Sequence, residues 1–172
     1  MTTEYLLNRE VECVLAALTP VNRLVMRVCL HTGLRLSDVL EFRPEQLKHR
    51  FWITEKKTGK KRMVGLPGQL LDELKQCAGD VWVFPNRSNP KAHRTRQAVW
   101  RDVKRAAKAF RIPQNVAPHS FRKVFAVDLM HKYGDIAKVR RVLNHSSDAV
   151  CMIYALADVS LRAKFKKRRN HV

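Results

Sequence analysis

Acidic residues are scarce in this chain, paired cysteines are missing, and no apolar run approaches the length of a membrane span. Against 34 Lys and Arg stand only 15 Asp and Glu, a formal charge of +19 over 172 residues. A compact domain tolerates that imbalance poorly without a polyanionic partner, which makes nucleic acid the first candidate. A membrane surface would also attract the charge, but a spanning helix needs roughly 20 apolar residues and no such stretch is present. No N-terminal segment reads as a signal peptide. The four cysteines, Cys13, Cys29, Cys77 and Cys151, show no C-x-x-C spacing and mostly sit among apolar neighbours. They read as reduced packing residues, not zinc ligands or disulfides, and place the protein in the cytosol. A hydrophobic content of 45% suffices for the core of one domain.

Helical spacing recurs along most of the chain. Val11, Val14, Leu15 and Leu18 fall on one face, and after Thr19 as a cap and Pro20 in the first turn so do Val21, Leu24, Val25, Val28 and Cys29. Gly33 ends that helix, and Ser37 is suited to cap a short one running to about Phe42, which leaves Arg35 on the intervening turn. From Phe51 to Leu66 the period changes. Phe51–Thr54 and Arg62–Leu66 read as a β-hairpin whose connection, Glu55 to Lys61, makes a basic tip. A helix over 68–77 and an apolar run, Val81 to Phe84, lead to a loop rich in Pro and Asn. Thr95 then caps a helix with Val99, Val103, Ala106 and Phe110 on one face, closing before Pro113. Pro118 starts a helix with Phe121, Val124, Phe125 and Leu129 inward, and Asp135 caps another containing Ile136, Val139 and Leu143. A last helix begins near Ser147 or Asp148 and carries Tyr154. The stretch Arg162 to Arg169 holds six basic residues and no acid, as either a solvated tail or a contact for DNA or a neighbouring subunit.

Arg35 lies in Thr32-Gly33-Leu34-Arg35-Leu36-Ser37-Asp38, Lys57 in Lys57-Thr58-Gly59, and His119 and Arg122 form an H-x-x-R pair. Leu143-Asn144-His145 precedes Tyr154 by nine residues. Taken singly, each has a plain alternative: a surface arginine, a solvated basic turn, a helix-end histidine, an amphipathic packing tyrosine. Together they supply what phosphodiester cleavage needs. Guanidinium groups stay charged and grip two phosphate oxygens at once, and a phenol with a pKa of about 10 attacks phosphorus only beside a base and strong positive charge. Tyr5 and Tyr133 are read as packing residues.

This constellation resembles the catalytic domain of the tyrosine recombinases, the phage integrase family, over about Leu6 to Asp158. The resemblance implies an α+β fold, mostly α-helical with a small antiparallel β-sheet, and a covalent 3′-phosphotyrosyl intermediate. It implies Arg35 and Arg122 as phosphate clamps and His119 as an aid to deprotonating the tyrosine. Lys57 would protonate the departing 5′-oxygen, with Lys56, Lys60 and Lys61 as rivals. His145 would hydrogen-bond the phosphate, Tyr154 would be the nucleophile, and Asp38 would support the arginines and histidine without binding metal. Asn144 stands where the family usually has Gly.

No metal or cofactor is called for. The implied partner is double-stranded DNA, with a tetramer on recombining DNA, a monomer when free, room for accessory DNA-bending proteins, and no membrane. The expected location is cytoplasmic, with the nucleoid when DNA-bound. Residues 1–172 are expected to be one catalytic domain without the usual N-terminal core-binding domain, either excised from a longer protein or like the small fimbrial-inversion recombinases. Two alternatives remain beside the recombinase reading: a non-enzymatic DNA-binding regulator that retains the fold, and a type IB topoisomerase-like enzyme.

Overall fold

The computed structural model describes residues 3–143. In chain order these form α1 (Asn8–Ala17), α2 (Pro20–Thr32), α3 (Leu36–Leu40), a 3-10 turn (Pro44–Gln46), β1 (Arg50–Thr54), β2 (Lys61–Gly65), α4 (Gly68–Cys77), α5 (Arg96–Ala109), α6 (Pro118–Tyr133) and α7 (Ile136–Leu143). The expected helices and hairpin are all present within that range. α2 packs on α6, α1 on α5, and α7 folds back on α6. Val25, Met26, Val28 and Cys29 of α2 meet Phe121, Val124 and Val127 of α6 in one buried core, with Leu70, Leu71 and Leu74 of α4 and Val99, Val103 and Ala106 of α5.

The hairpin pairs antiparallel with Phe51 opposite Val64 and Trp52 opposite Met63. Its inward residues Phe51, Ile53 and Val64 are buried, and Phe42 meets Phe51 edge to face at 5.2 Å, fastening the sheet to the helical layer. Trp52 and Met63 face outward and are exposed.

Several local expectations need correction. Thr19 occupies the N-cap of α2, but its hydroxyl makes no cap bond and donates instead to Asp102, 2.8 Å away. Ser37 lies inside α3, whose N-cap is Arg35. Phe110 falls one residue past α5 and is exposed. Of the apolar run Val81 to Phe84 only Val83 and Phe84 are buried, and the Val83 amide donates to the Phe42 carbonyl at 2.9 Å. Tyr5 is a core residue, whereas Tyr133 is partly exposed with the Lys138 ammonium 3.8 Å above its ring. Thr95 and Asp135 do cap as expected: the Thr95 hydroxyl accepts from Ala98, and Asp135 accepts from Ala137 and Lys138. Among the described residues Cys13, Cys29 and Cys77 are free thiols, and burial pushes the Cys29 thiol up to about 12.

Candidate active site

The site grows from the end of α2. Gly33 takes the left-handed conformation, φ 62°, and its amide closes the helix on the Cys29 carbonyl at 2.8 Å. A Cβ on Gly33 would lie 2.1 Å from Cδ1 of Phe125, so glycine is required here both by the backbone and by the closeness of α6. That tight approach lets the carbonyls of the turn serve as anchors. Arg62 of β2 donates to the Thr32 carbonyl, and Arg122 of α6 donates to the Gly33 carbonyl. Arg122 also donates to the Leu143 carbonyl at the end of α7, 2.6 Å away. It is 2% exposed, a cation braced between two helix ends.

Arg35 follows two residues after Gly33. One edge of its guanidinium donates to Oε2 of Glu55 at 2.5 Å, and its side chain keeps 19% exposure. Glu55 is fully buried; its Oε2 also accepts from the Thr58 hydroxyl at 3.1 Å, and its Oε1 lies 3.7 Å from Arg62. Asp38, on the first turn of α3, accepts the Lys56 amide at 3.0 Å. Burial raises the Asp38 carboxyl above its usual range, and nearby Glu55 adds to this, against the Lys56 amide, Arg35 and Arg122. Burial likewise lowers Arg62, against the pull of Glu55. Three guanidiniums thus surround two carboxylates in a partly dry space, where charge interactions are strong.

The structure brings Arg35, Arg122 and Asp38 together and hangs the Lys57 turn beside them. The turn is closed by Glu55 and Lys60 pairing through backbone at 3.0 Å, with Gly59 at φ 64°. Lys57 is exposed and has no ion-pair partner among the described residues, whereas the Lys56 ammonium is paired with Glu41. His119 occupies the first turn of α6, behind Pro118 at its start, and is exposed. His145 and Tyr154, with the tail from Arg162 to Arg169, lie outside the described residues. No group of three or more metal-ligating side chains occurs among the described residues.

Glu55, read from the sequence as part of the hairpin connection, and Arg62, read as the start of its second strand, also belong to this cluster. The signal for Glu55 was the strand alternation: Phe51, Ile53 and Glu55 share one face, so the carboxylate continues the buried row by one residue.

The sequence pattern of the Phage integrase family matches residues 4–160. The chain belongs to that family. It is 31% identical over 145 residues to a probable integrase/recombinase, YoeC, of Bacillus subtilis, covering 80% of this chain and 78% of that protein. It is 30% identical to the integrase of Escherichia phage P2 and 32% identical to the tyrosine recombinase XerD of Brucella suis. Those matches take in 89% and 72% of this chain but only 43% and 44% of the relatives, so the chain spans less than half their length. The fold is that of the catalytic domain of bacteriophage HP1 integrase, with a TM-score of 0.64, 24% identity, and coverage of 91% of this chain and 89% of that one. It also matches a lambda integrase dimer bound to a core site, with a TM-score of 0.73, 21% identity, and coverage of 88% and 58%.

Proposed function

We propose that this member of the phage integrase family is the catalytic domain of a site-specific DNA recombinase, which cuts and rejoins double-stranded DNA through a covalent 3′-phosphotyrosyl bond at Tyr154. The observation that carries the proposal is the meeting of Arg35 and Arg122 at the Gly33 turn, with Arg122 bonded to the Gly33 carbonyl across 89 residues of sequence. Positive charge fixed before the substrate arrives stabilises a developing phosphorane without reorganisation at the moment of reaction. Tyr154 attacks phosphorus and the bond to the 5′-oxygen breaks; His119 assists removal of the phenol proton, Lys57 delivers a proton to the leaving oxygen, and His145 bonds the phosphate. Asp38, through the Lys56 amide, holds the Lys57 turn against α3. Attack by the 5′-hydroxyl of a second DNA reverses the chemistry with new partners. Because guanidiniums provide the charge, cleavage is expected to proceed in chelator.

The relatives' names favour strand exchange over simple relaxation. The reading extends to a tetramer on recombining DNA, in line with the lambda integrase tetramer bound to a Holliday junction that this fold also matches, and to a cytoplasmic location at the nucleoid. Among the described residues no helix is long and apolar enough to cross a membrane.

The test is a nicked suicide duplex carrying the protein's crossover sequence, found by sequencing DNA ends trapped from a library. The wild-type chain is expected to form a covalent adduct and Tyr154→Phe to form none while still binding DNA. Mass-spectrometric mapping of the adduct to Tyr133 would overturn the assignment. On the same substrates Lys57→Ala is expected to slow an ordinary phosphodiester far more than a 5′-bridging phosphorothiolate, whose leaving group needs no proton. Equal losses would leave Lys57 an electrostatic contact.

A further inference from the structure

We propose that Glu55 is a positioning residue that sets the Arg35 phosphate clamp and the Lys57 turn together. This rests on the phosphate-cleaving reading above and adds a residue that reading does not use. A carboxylate is a costly thing to bury at a site meant for a phosphate, since it must be desolvated and it subtracts from the positive field. Here it is fully buried, and its two oxygens between them meet three separate segments. Oε2 takes the Arg35 guanidinium from the start of α3 and the Thr58 hydroxyl from the hairpin turn, while Oε1 faces Arg62 of β2. Its backbone closes the same turn, donating to the Lys60 carbonyl and accepting from the Gly59 amide. The residue next to it, Lys56, gives its amide to Asp38, so α3 and the hairpin are laced by two crossed bonds.

The consequence is geometric. An arginine side chain has many rotamers, and an arginine left to itself at 19% exposure would have to be ordered by the substrate. Held along one edge by a carboxylate, it presents a planar fork whose orientation is already set. The carboxylate that holds it also terminates the strand leading to Lys57, two residues on, so the clamp and the proton donor share one reference point. Arg62, anchored on the Thr32 carbonyl, faces Glu55 from the other side and offsets its charge. Glu55 touches neither phosphate nor leaving group in this scheme; it acts through Arg35 and through the turn.

The experiment is a double-mutant cycle between Glu55 and Arg35, read by single-turnover cleavage and by arginine side-chain NMR of the DNA-free protein. A 5′-bridging phosphorothiolate substrate keeps the Arg35→Ala rates measurable. Glu55→Ala is expected to slow cleavage roughly 10–100-fold, the scale of losing a preset arginine, while DNA affinity stays equal or rises because a negative charge is gone. In an Arg35→Ala background the same change is expected to cost little more. Glu55→Gln keeps an acceptor of the same shape and should recover part of the rate, which also covers the case in which Glu55→Ala does not fold. The Arg35 Nε–H signal is expected to be sharp and shifted in the wild type and to move toward the free-arginine position in Glu55→Gln. Losses that simply add in the cycle, or an Arg35 signal unmoved by Glu55→Gln, would overturn the proposal. A wild-type chain that fails to cleave would count against the recombinase reading, and the NMR comparison would still decide this one.

Discussion

At the junction of α1, α2 and α5, Asp102 collects the Thr19 amide, the Thr19 hydroxyl and the Asn22 amide group on one oxygen and Arg105 on the other. At the Gly33 turn, by contrast, Arg35, Arg62 and Arg122 surround Asp38 and Glu55, and Asp38 Oδ2 is buried without a hydrogen-bond partner among the described residues. Both are polar networks joining segments far apart in sequence. In the first, neutral donors and the exposed Arg105 match the one carboxylate, and Arg94 adds a second, partly exposed guanidinium by donating to the Asn22 oxygen at 2.5 Å. The second differs in where its cations sit: Arg122 is 2% exposed and bonds the Gly33 and Leu143 carbonyls, in a place where burying charge is expensive. A network that only holds a fold gains little from so deeply buried a cation, whereas on the recombinase reading it meets a phosphate. The difference in burial is the physical contrast between the Asp102 junction and the cluster proposed as the active site.

The sharpest way to break that comparison is to remove one member from each side. Arg122→Ala deletes a clamp and strands the Gly33 and Leu143 carbonyls, and it is expected to lower single-turnover cleavage by at least ~10²–10³-fold while costing roughly 3–5 kcal/mol of stability. Asp102→Ala is expected to cost about 2–3 kcal/mol and leave the cleavage rate per folded molecule nearly unchanged. Chemical denaturation and burst-phase cleavage measure the two quantities separately. If Asp102→Ala reduced the rate as much as Arg122→Ala at equal folded fraction, the division between the two networks would fail.

A smaller effect is expected at the point that brings α6 to the Gly33 turn. Gly33→Ala must hold an L side chain at positive φ and push Phe125 aside, for about 2–4 kcal/mol of lost stability with a slower cleavage rate as Arg122 shifts. Adding Phe125→Ala removes the clash but not the backbone strain, so the double variant should recover part of the loss. Full recovery, seen in thermal melts, would mean that the left-handed backbone contributes nothing.

Part of this arrangement is legible in the sequence. Arg35, His119 and Arg122 stood out because their local motifs are short and unusual, and Gly33 because a glycine after a helical run is a stop signal. What joins them was not legible. The partner of Arg122 is a carbonyl on another helix, set by how closely α6 packs on α2, and no local pattern encodes that distance. Thr19 looks like a helix cap because its residue type and position fit, yet its hydroxyl is taken by Asp102, 83 residues away. Glu55 reads as the first residue of the hairpin connection, although the alternation of the strand before it points inward. Its burial follows only once Arg35 and Arg62 are known to meet it.

The finest distinction between the two networks is the sign of their response to acid. At Asp102 burial alone would raise the pKa, but the bonds from Asn22, Thr19 and Arg105 outweigh it and hold the carboxyl at about 2. A group depressed in the folded state stabilises the fold above its unfolded pKa of about 3.9, and that stability drains away as pH falls toward 2. With allowance for the solvent around Arg105, the contribution is on the order of 1–2 kcal/mol. Asp38 runs the other way, because burial raises it: the unfolded chain gives up this proton first, so the folded state loses stability as pH climbs through the unfolded and then the folded pKa. Asp102→Asn is therefore expected to flatten the fall in melting temperature between pH 4 and pH 2. Asp38→Asn should leave that fall intact and remove a decline that begins above pH ~4. Melting curves of the two variants across pH 2–7 make the comparison, and the same limb changing in both would show that the two carboxylates do not sit in opposite electrostatic settings.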